Sequence, residues 1–217
     1  MTARFIAILL LACGAAALTA LAFTGRFVPH EASFARLVQD APGGGSIETV
    51  AGVLASPILE YALVGIVALR ALSLRDYVLA AAAVLALAAI ALNPVIKDLV
   101  GRDRPTAAEV IVREHAGGFG FPSGHVQTAT LAYGYAAAGV ARLVPRVAAV
   151  AATVALLAVA AIAFDRIYTG AHWPSDVAGG ALIGLLLLMA AIRLPRRLCR
   201  RFAKRDARGT AARRHFG

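Results

Sequence analysis

Three polar clusters in this chain carry the residue types needed to grip a phosphate, attack it and protonate the group that leaves. The first is Lys97 followed by Arg104-Pro105, the second Pro122-Ser123-Gly124-His125, and the third Arg166 with His172 six residues on and Asp176 four after that. Lys offers a compact cation and Arg a bidentate fork, so Lys97 and Arg104 can hold one anion from a single turn-bearing segment. Ser123 and Gly124 open a helix, where unpaired backbone N–H groups and the helix dipole favour an anion; Gly124 lets the backbone approach it and Ser123 adds a hydroxyl donor. His125 stands at the same helix start, placed as a general acid.

The third cluster is the sharpest. Pro174 suits the first position of a helix, which puts Asp176 in its first turn and His172 just before it. The carboxylate can accept the Nδ1 proton and leave Nε2 free to attack, the orienting logic of a catalytic triad. Taken singly, each cluster has a plainer reading: basic residues anchoring a helix at an interface, a serine N-cap, a satisfied interfacial histidine. That plainer reading prevails only for the first cluster taken alone; the second and, more strongly, the third favour catalysis, and the coincidence of all three strengthens it. Arg102, Asp103 and Arg113 stay with the plainer reading of helix anchors.

The elements that must position these clusters belong in a membrane. Hydrophobic residues make up 60% of the 217, with aromatics at only 7%, and mean hydropathy is +0.75, well beyond an ordinary soluble domain. Six apolar stretches near 5–24, 49–69, 77–96, 123–144, 147–164 and 176–194 are long enough, at about 20 residues, to span a bilayer as helices. The predicted fold is therefore all-α: an integral membrane bundle of six transmembrane helices over 1–194, with a basic cytoplasmic tail over 195–217. The first stretch reads as an uncleaved helix, since its apolar core exceeds that of a usual signal peptide. Between the first two, Phe34, Leu37 and Val38 recur at helical spacing from Glu31 to Val38, as in a short helix lying in the interface and ended by Pro42 and the glycines after it.

Antiparallel succession brings all three clusters to one face of the bilayer. The net charge is +10, and ten of the 22 Lys and Arg residues lie between Arg193 and Arg214. Placing both termini in the cytoplasm puts those ten inside with Arg4, Arg70, Arg75, Arg142 and Arg146. It puts Arg26, Arg36, Lys97, Arg102, Arg104, Arg113 and Arg166 outside, and the tail decides the count. The tail is expected near anionic lipid; with no reading domain beside it, nucleic acid is not an expected partner. The expected location is a cell membrane, most simply a bacterial plasma membrane, with the clusters on the extracytoplasmic side. Cys13 and Cys199 lie at different depths, which argues against a disulfide, and nothing resembles a thiolate metal site.

At these residues the chain resembles the type 2 phosphatidic acid phosphatases, the membrane branch of a superfamily shared with the vanadium haloperoxidases. Lys97, Arg104-Pro105, Pro122 to His125, Arg166, His172 and Asp176 match that family's pattern in order and spacing. Asp165 departs from it, standing where the family usually has Ser. The resemblance implies a hydrolase removing the terminal phosphate of a lipid phosphate or diphosphate, of polyprenyl diphosphate, phosphatidylglycerophosphate or phosphatidic acid type. It implies His172 as the nucleophile forming a phosphohistidine, oriented by Asp176, and His125 as the acid. Lys97, Arg104, Ser123, Gly124 and Arg166 would hold the phosphoryl oxygens, with no metal or other cofactor.

Other classes are weaker. Haloperoxidase relatives are soluble, and a transporter would carry its polar site near the bilayer midplane rather than at helix ends. A phosphotransferase using the same histidine is the alternative to hydrolysis, because any hydroxyl can intercept a phosphohistidine, and the sequence is silent on which lipid is the substrate and on oligomeric state. Glu60, taken as midway along the second helix, is expected to be protonated or bonded to Asn93 or Gln127. Gly180 and Gly184 suggest a close helix-packing face, and Tyr168 and Trp173 interface aromatics.

Overall fold

The structure, a computed structural model, describes residues 3–24 and 30–215, with side chains for 5–24 and 30–203. Arg4, Arg26 and the tail side chains beyond Ala203, which entered the charge count, lie outside the described side chains. Nine α-helices make up the described fold: α1 Ala3–Phe23, α2 Glu31–Gln39, α3 Gly44–Leu54, α4 Pro57–Ser73, α5 Tyr77–Ile90, α6 Asn93–Val100, α7 Gly124–Leu143, α8 Ala148–Tyr168 and α9 Pro174–His215. A 3-10 turn, Pro145–Val147, joins α7 to α8.

Two of the six predicted spans are broken. The second divides at Ala55-Ser56 into α3 and α4, which meet at 48°. Pro57 lies in the first turn of α4, and its ring drives Ser56 into extended backbone (ψ 124°). The third divides at Ala91-Leu92, where Pro94 opens α6. Lys97, expected just beyond a helix, therefore sits inside α6, which continues to a left-handed Gly101.

Among the described residues, four helical segments are long and apolar enough to cross a membrane, 5–23, 77–100, 145–168 and 174–203, and the bent pair α3–α4 gives a fifth. The stretch predicted at 123–144 forms α7 but is less apolar, because it is the hub of the bundle and packs on α4, α5, α8 and α9. With protein on several faces it tolerates Gln127, Thr130, Tyr133 and Tyr135. The two tyrosine hydroxyls donate to Leu54 O (2.7 Å) and Leu79 O (3.0 Å), so neither is left unpaired in an apolar setting.

The predicted glycine face is present. A Cβ on Gly180 would lie 2.6 Å from Ser123 O, and one on Gly184 2.9 Å from Thr130 Cβ. Their absence of side chain lets α9 lie against the start of α7, and Ser123 N–H donates to Asp176 O across that contact (3.0 Å). The two ends that carry the second and third clusters are joined here.

The last helix runs past its predicted end. α9 continues through Pro195 to His215, so no structural break separates 1–194 from the tail. Arg, Leu, Lys and Ala are strong helix formers, and the single proline removes one backbone bond without ending the helix. Trp173, expected at an interface, is instead 1% exposed within the core cluster around Val126, Ile162 and Val177. Cys13 and Cys199 are free and exposed.

Candidate active site

The three clusters meet. A cavity of about 260 Å³ is lined by Lys97 from α6, Arg104 from the loop after it, Gly124, His125 and Thr128 from α7, and His172 from the α8–α9 turn. Ala55, Pro57, Glu60 and Tyr61 close its other side from the α3–α4 break. Lys97, Arg104, Gly124, His125 and His172 thus converge as predicted.

His172 is 3% exposed. Its Nδ1 faces Asp176 Oδ2 at 3.5 Å, one helical turn along, a contact longer than a hydrogen bond. Its Nε2 lies 3.1 Å from Arg104 NH1. A guanidinium has only donors, so Nε2 must be the accepting nitrogen and the proton must sit on Nδ1, toward the carboxylate. Burial lowers the imidazole pKa to about 4, outweighing the pull of Asp176 in the other direction. The ring is therefore neutral near pH 7, the state a nucleophile needs.

Asp176 is fully buried and well held. Its Oδ2 accepts Trp173 N–H (3.0 Å) and its Oδ1 accepts Arg102 NH1 (2.6 Å). Arg102 is 5% exposed and reaches Glu31 Oε2 with its other nitrogen (2.9 Å). Ser175 ties the group together: its N–H and hydroxyl both donate to Glu31 Oε1 (2.7 and 2.5 Å), and its Oγ accepts from Arg102 NH1 at 2.5 Å. The expectation that Arg102 anchors a helix at the interface is corrected here, because it is a buried ion-pair partner of the site. Buried charges persist only when paired, and removing one partner typically costs about 3–5 kcal/mol.

The two cations that line the cavity, Lys97 and Arg104, are held more lightly. Lys97 Nζ donates to Phe119 O (2.6 Å) and Gly120 O (3.3 Å). Arg104 donates to Gly118 O (2.9 Å), Gly117 O (3.1 Å) and Ala171 O (2.7 Å). Neutral carbonyls are partners that an anion can replace. Ser123 is fully buried, and its Oγ has no hydrogen-bond partner among the described residues. Gly124 has a reason beyond the expected anion approach: a Cβ there would lie 2.9 Å from Asn93 Oδ1.

Arg166 is not among the residues lining the cavity. Asp165, in the place of the family serine, binds it through Nε (2.8 Å) and NH2, and Glu114 takes NH1 at 3.0 Å. The Asp165–Arg166 pair is buried, whereas the Glu114 side chain is 40% exposed. Arg113 is no simple anchor either, since it lies over the Tyr168 ring at 4.2 Å and donates to Tyr168 O.

Glu60 lies in the first turn of α4, not midway along a continuous helix, and is 3% exposed. The expected bonds to Asn93 or Gln127 are not made: those two amides pair with each other at 2.9 Å, and Glu60 Oε1 has no partner among the described residues. Sequence reasoning missed Glu31, Arg102 and Ser175 because each acts across more than 70 positions of chain. The one signal was Arg102 inside the first cluster.

A membrane-helix bundle with this cluster geometry has a counterpart among known families. Residues 77–200, more than half the chain, match the model of the PAP2 superfamily, and the chain belongs to that family. It is 34% identical over 103 residues to phosphatidylglycerophosphatase B of Bacillus subtilis (strain 168), a match covering 44% of this chain and 47% of that protein, so about half the length of the curated relative. A crystal structure described as a transmembrane PAP2-type phosphatidylglycerolphosphate phosphatase from Bacillus subtilis aligns with 77% of this chain and 97% of its own, at 22% identity and a TM-score of 0.48.

Proposed function

We propose that the chain is a membrane lipid phosphatase that hydrolyses the terminal phosphate of a lipid phosphate or diphosphate without a metal ion. The observation that carries this reading is the neutral, buried His172, with Nδ1 toward Asp176 and Nε2 toward Arg104, in one cavity with Lys97, Gly124 and His125. An arriving phosphate displaces carbonyls from Lys97 and Arg104, which releases the Nε2 lone pair. Nε2 attacks phosphorus while the bond to the leaving oxygen breaks, and His125 gives that oxygen its proton. Water, deprotonated by His125, then attacks the phosphohistidine and releases phosphate. Lys97, Arg104, Ser123 and the Gly124 backbone stabilise the equatorial oxygens, and Arg166 joins them by exchanging Glu114 for the phosphate.

A relative that is a phosphatidylglycerophosphatase makes phosphatidylglycerophosphate the first substrate to try, ahead of phosphatidic acid and polyprenyl diphosphate. The enzyme spans a bacterial plasma membrane six times, with both termini cytoplasmic and the cavity on the extracytoplasmic face. The ten basic residues along the C-terminal part of α9 support that orientation, where they meet anionic lipid.

Purified protein in detergent, given a panel of these lipids, should release phosphate in excess EDTA and be blocked by vanadate. Loss of activity in EDTA that magnesium restores would overturn the metal-free mechanism. Cysteines at Thr106 and Ala207, in a background lacking Cys13 and Cys199, should label oppositely with an impermeant reagent on intact cells, Thr106 reacting and Ala207 not. The reverse pattern would put the cavity in the cytoplasm.

A further inference from the structure

We propose that Glu31 and Arg102 are positioning residues for the nucleophile, through which helix α2 sets the orientation and charge of the Asp176–His172 pair. This rests on His172 being the nucleophile. Asp176 has two oxygens to place. Arg102 and Trp173 N–H fix one each, which leaves the edge of Oδ2 turned to His172 Nδ1. A bare Arg102 would neutralise Asp176 and weaken its hold on the imidazolium that forms as Nε2 bonds to phosphorus. Glu31 balances Arg102, so Glu31, Arg102 and Asp176 together keep one net negative charge beside the ring.

Glu31 arrives from an unusual place. It opens α2, whose Phe34 and Leu37 are exposed while Glu31, Ala35 and Gln39 are buried. Gln39 holds Ile111 through both its oxygen (3.0 Å) and its nitrogen (2.6 Å), and Arg36 holds Glu109 O (2.9 Å). Helix α2 is thus fastened to the 109–111 segment at its far end and to the nucleophile's support at its near end. The exposed apolar edge suits the lipid interface, which ties the seating of α2 to the reacting histidine.

The His172 ring is faced by Asp176 from α9, Arg104 from the loop, and, around the cavity, Lys97 from α6, His125 from α7 and Glu60 from α4. Glu31 and Arg102 reach it through Asp176, and that gives the test a sign. Glu31→Gln leaves Arg102 unbalanced, so the acid limb of kcat/KM should move to lower pH. Its kcat should fall on the order of tenfold at little change in KM, the scale on which outer partners of an oriented imidazole act. Arg102→Leu unmasks Asp176 and should move the same limb to higher pH. Arg102→Lys keeps the charge without the fork, so the limb should stay in place while kcat falls.

Each variant is measured as full-length protein in detergent with one substrate, alongside trapping of the phosphoenzyme. Limbs that move oppositely for Glu31→Gln and Arg102→Leu support the proposal; limbs that move together, or not at all, overturn it while the trapped phosphoenzyme keeps the nucleophile reading intact. If Arg102→Leu does not fold, Glu31→Gln and Arg102→Lys decide between a lowered limb beside an unmoved one and any other pattern, which overturns the proposal. No trapped phosphoenzyme in the wild type would instead overturn the nucleophile reading and this inference with it.

Discussion

The two walls of the cavity are built differently. On the wall of the proposed nucleophile, His172, Asp176, Arg102 and Ser175 are all buried, and Asp176 and Arg102 are anchored by other side chains or the backbone at 2.5 to 3.0 Å. Elsewhere around the cavity His125 is exposed, Lys97 rests on the carbonyls of Phe119 and Gly120, and Arg104 rests on those of Gly117, Gly118 and Ala171. One wall is assembled before substrate arrives. In the proposed reaction the other is completed by the substrate's own oxygens. Orientation must be fixed where a new bond forms, because small errors in attack geometry are costly. A proton donor and a pair of cations tolerate looser placement, since they act on charge as it develops.

The largest effect should come from the assembled wall. His172→Ala should abolish turnover and any trapped phosphoenzyme, measured by phosphate release and by acid quench with labelled substrate. Residual phosphoenzyme would break the comparison outright. Asp176→Asn leaves the ring in place but removes the charge that orients it, and should reduce kcat by about 10³ to 10⁴.

The open wall should respond to the substrate. His125→Ala should slow hydrolysis of an alkyl phosphate by roughly 10² to 10⁴, the usual value of a general acid. With p-nitrophenyl phosphate, whose leaving group needs little protonation, that defect should shrink markedly while His172→Ala stays inactive. If both variants follow leaving-group acidity alike, the division of roles between the walls is wrong.

Acid should act on the assembled wall too. The His172 pKa of about 4 lies below its ordinary value of 6.5, so between those values the unfolded chain takes up a proton that the folded site refuses. Stability from this group is complete above about pH 6.5 and declines as pH falls toward 4. Thermal unfolding in detergent from pH 7 to 4 should show that decline, and His172→Gln should flatten it.

Much of the site was legible in the sequence because its chemistry is written locally. Pro122 to His125 is one helix start, and His172 to Asp176 is one turn, so the roles proposed for them follow from a few adjacent positions. Lys97 and Arg104 were legible as residues of the cavity but not in setting, since the short α6 was hidden inside an apolar run that reads as continuous. Pro57 and Pro94 carried the two breaks, yet apolar length alone joins α3 to α4 and α5 to α6. The Glu31–Arg102 pair was invisible for a different reason: an ion pair across 71 positions has no period and no motif. Hydropathy misplaced Trp173, because an aromatic beside a helix start looks the same whether it faces lipid or core. The continuation of α9 was lost to the convention that a basic run after a span is a tail.

The smallest effect concerns Arg166, which lies outside the cavity lining. Its bond to Asp165 is buried, while its bond to Glu114 is half-exposed and competes with solvent. Exposed pairs contribute about 0.2 to 1 kcal/mol, so Glu114 is a weak placeholder that a phosphate can displace. Glu114→Gln should remove that competition and lower KM by about two- to threefold at unchanged kcat. A raised KM would mean that Glu114 helps to hold the loop around the substrate. An unchanged KM would mean that Arg166 stays with Asp165 throughout the reaction. In that case the aspartate standing where the family has serine has withdrawn the third cation from phosphate binding, and Lys97 and Arg104 hold the phosphate between them.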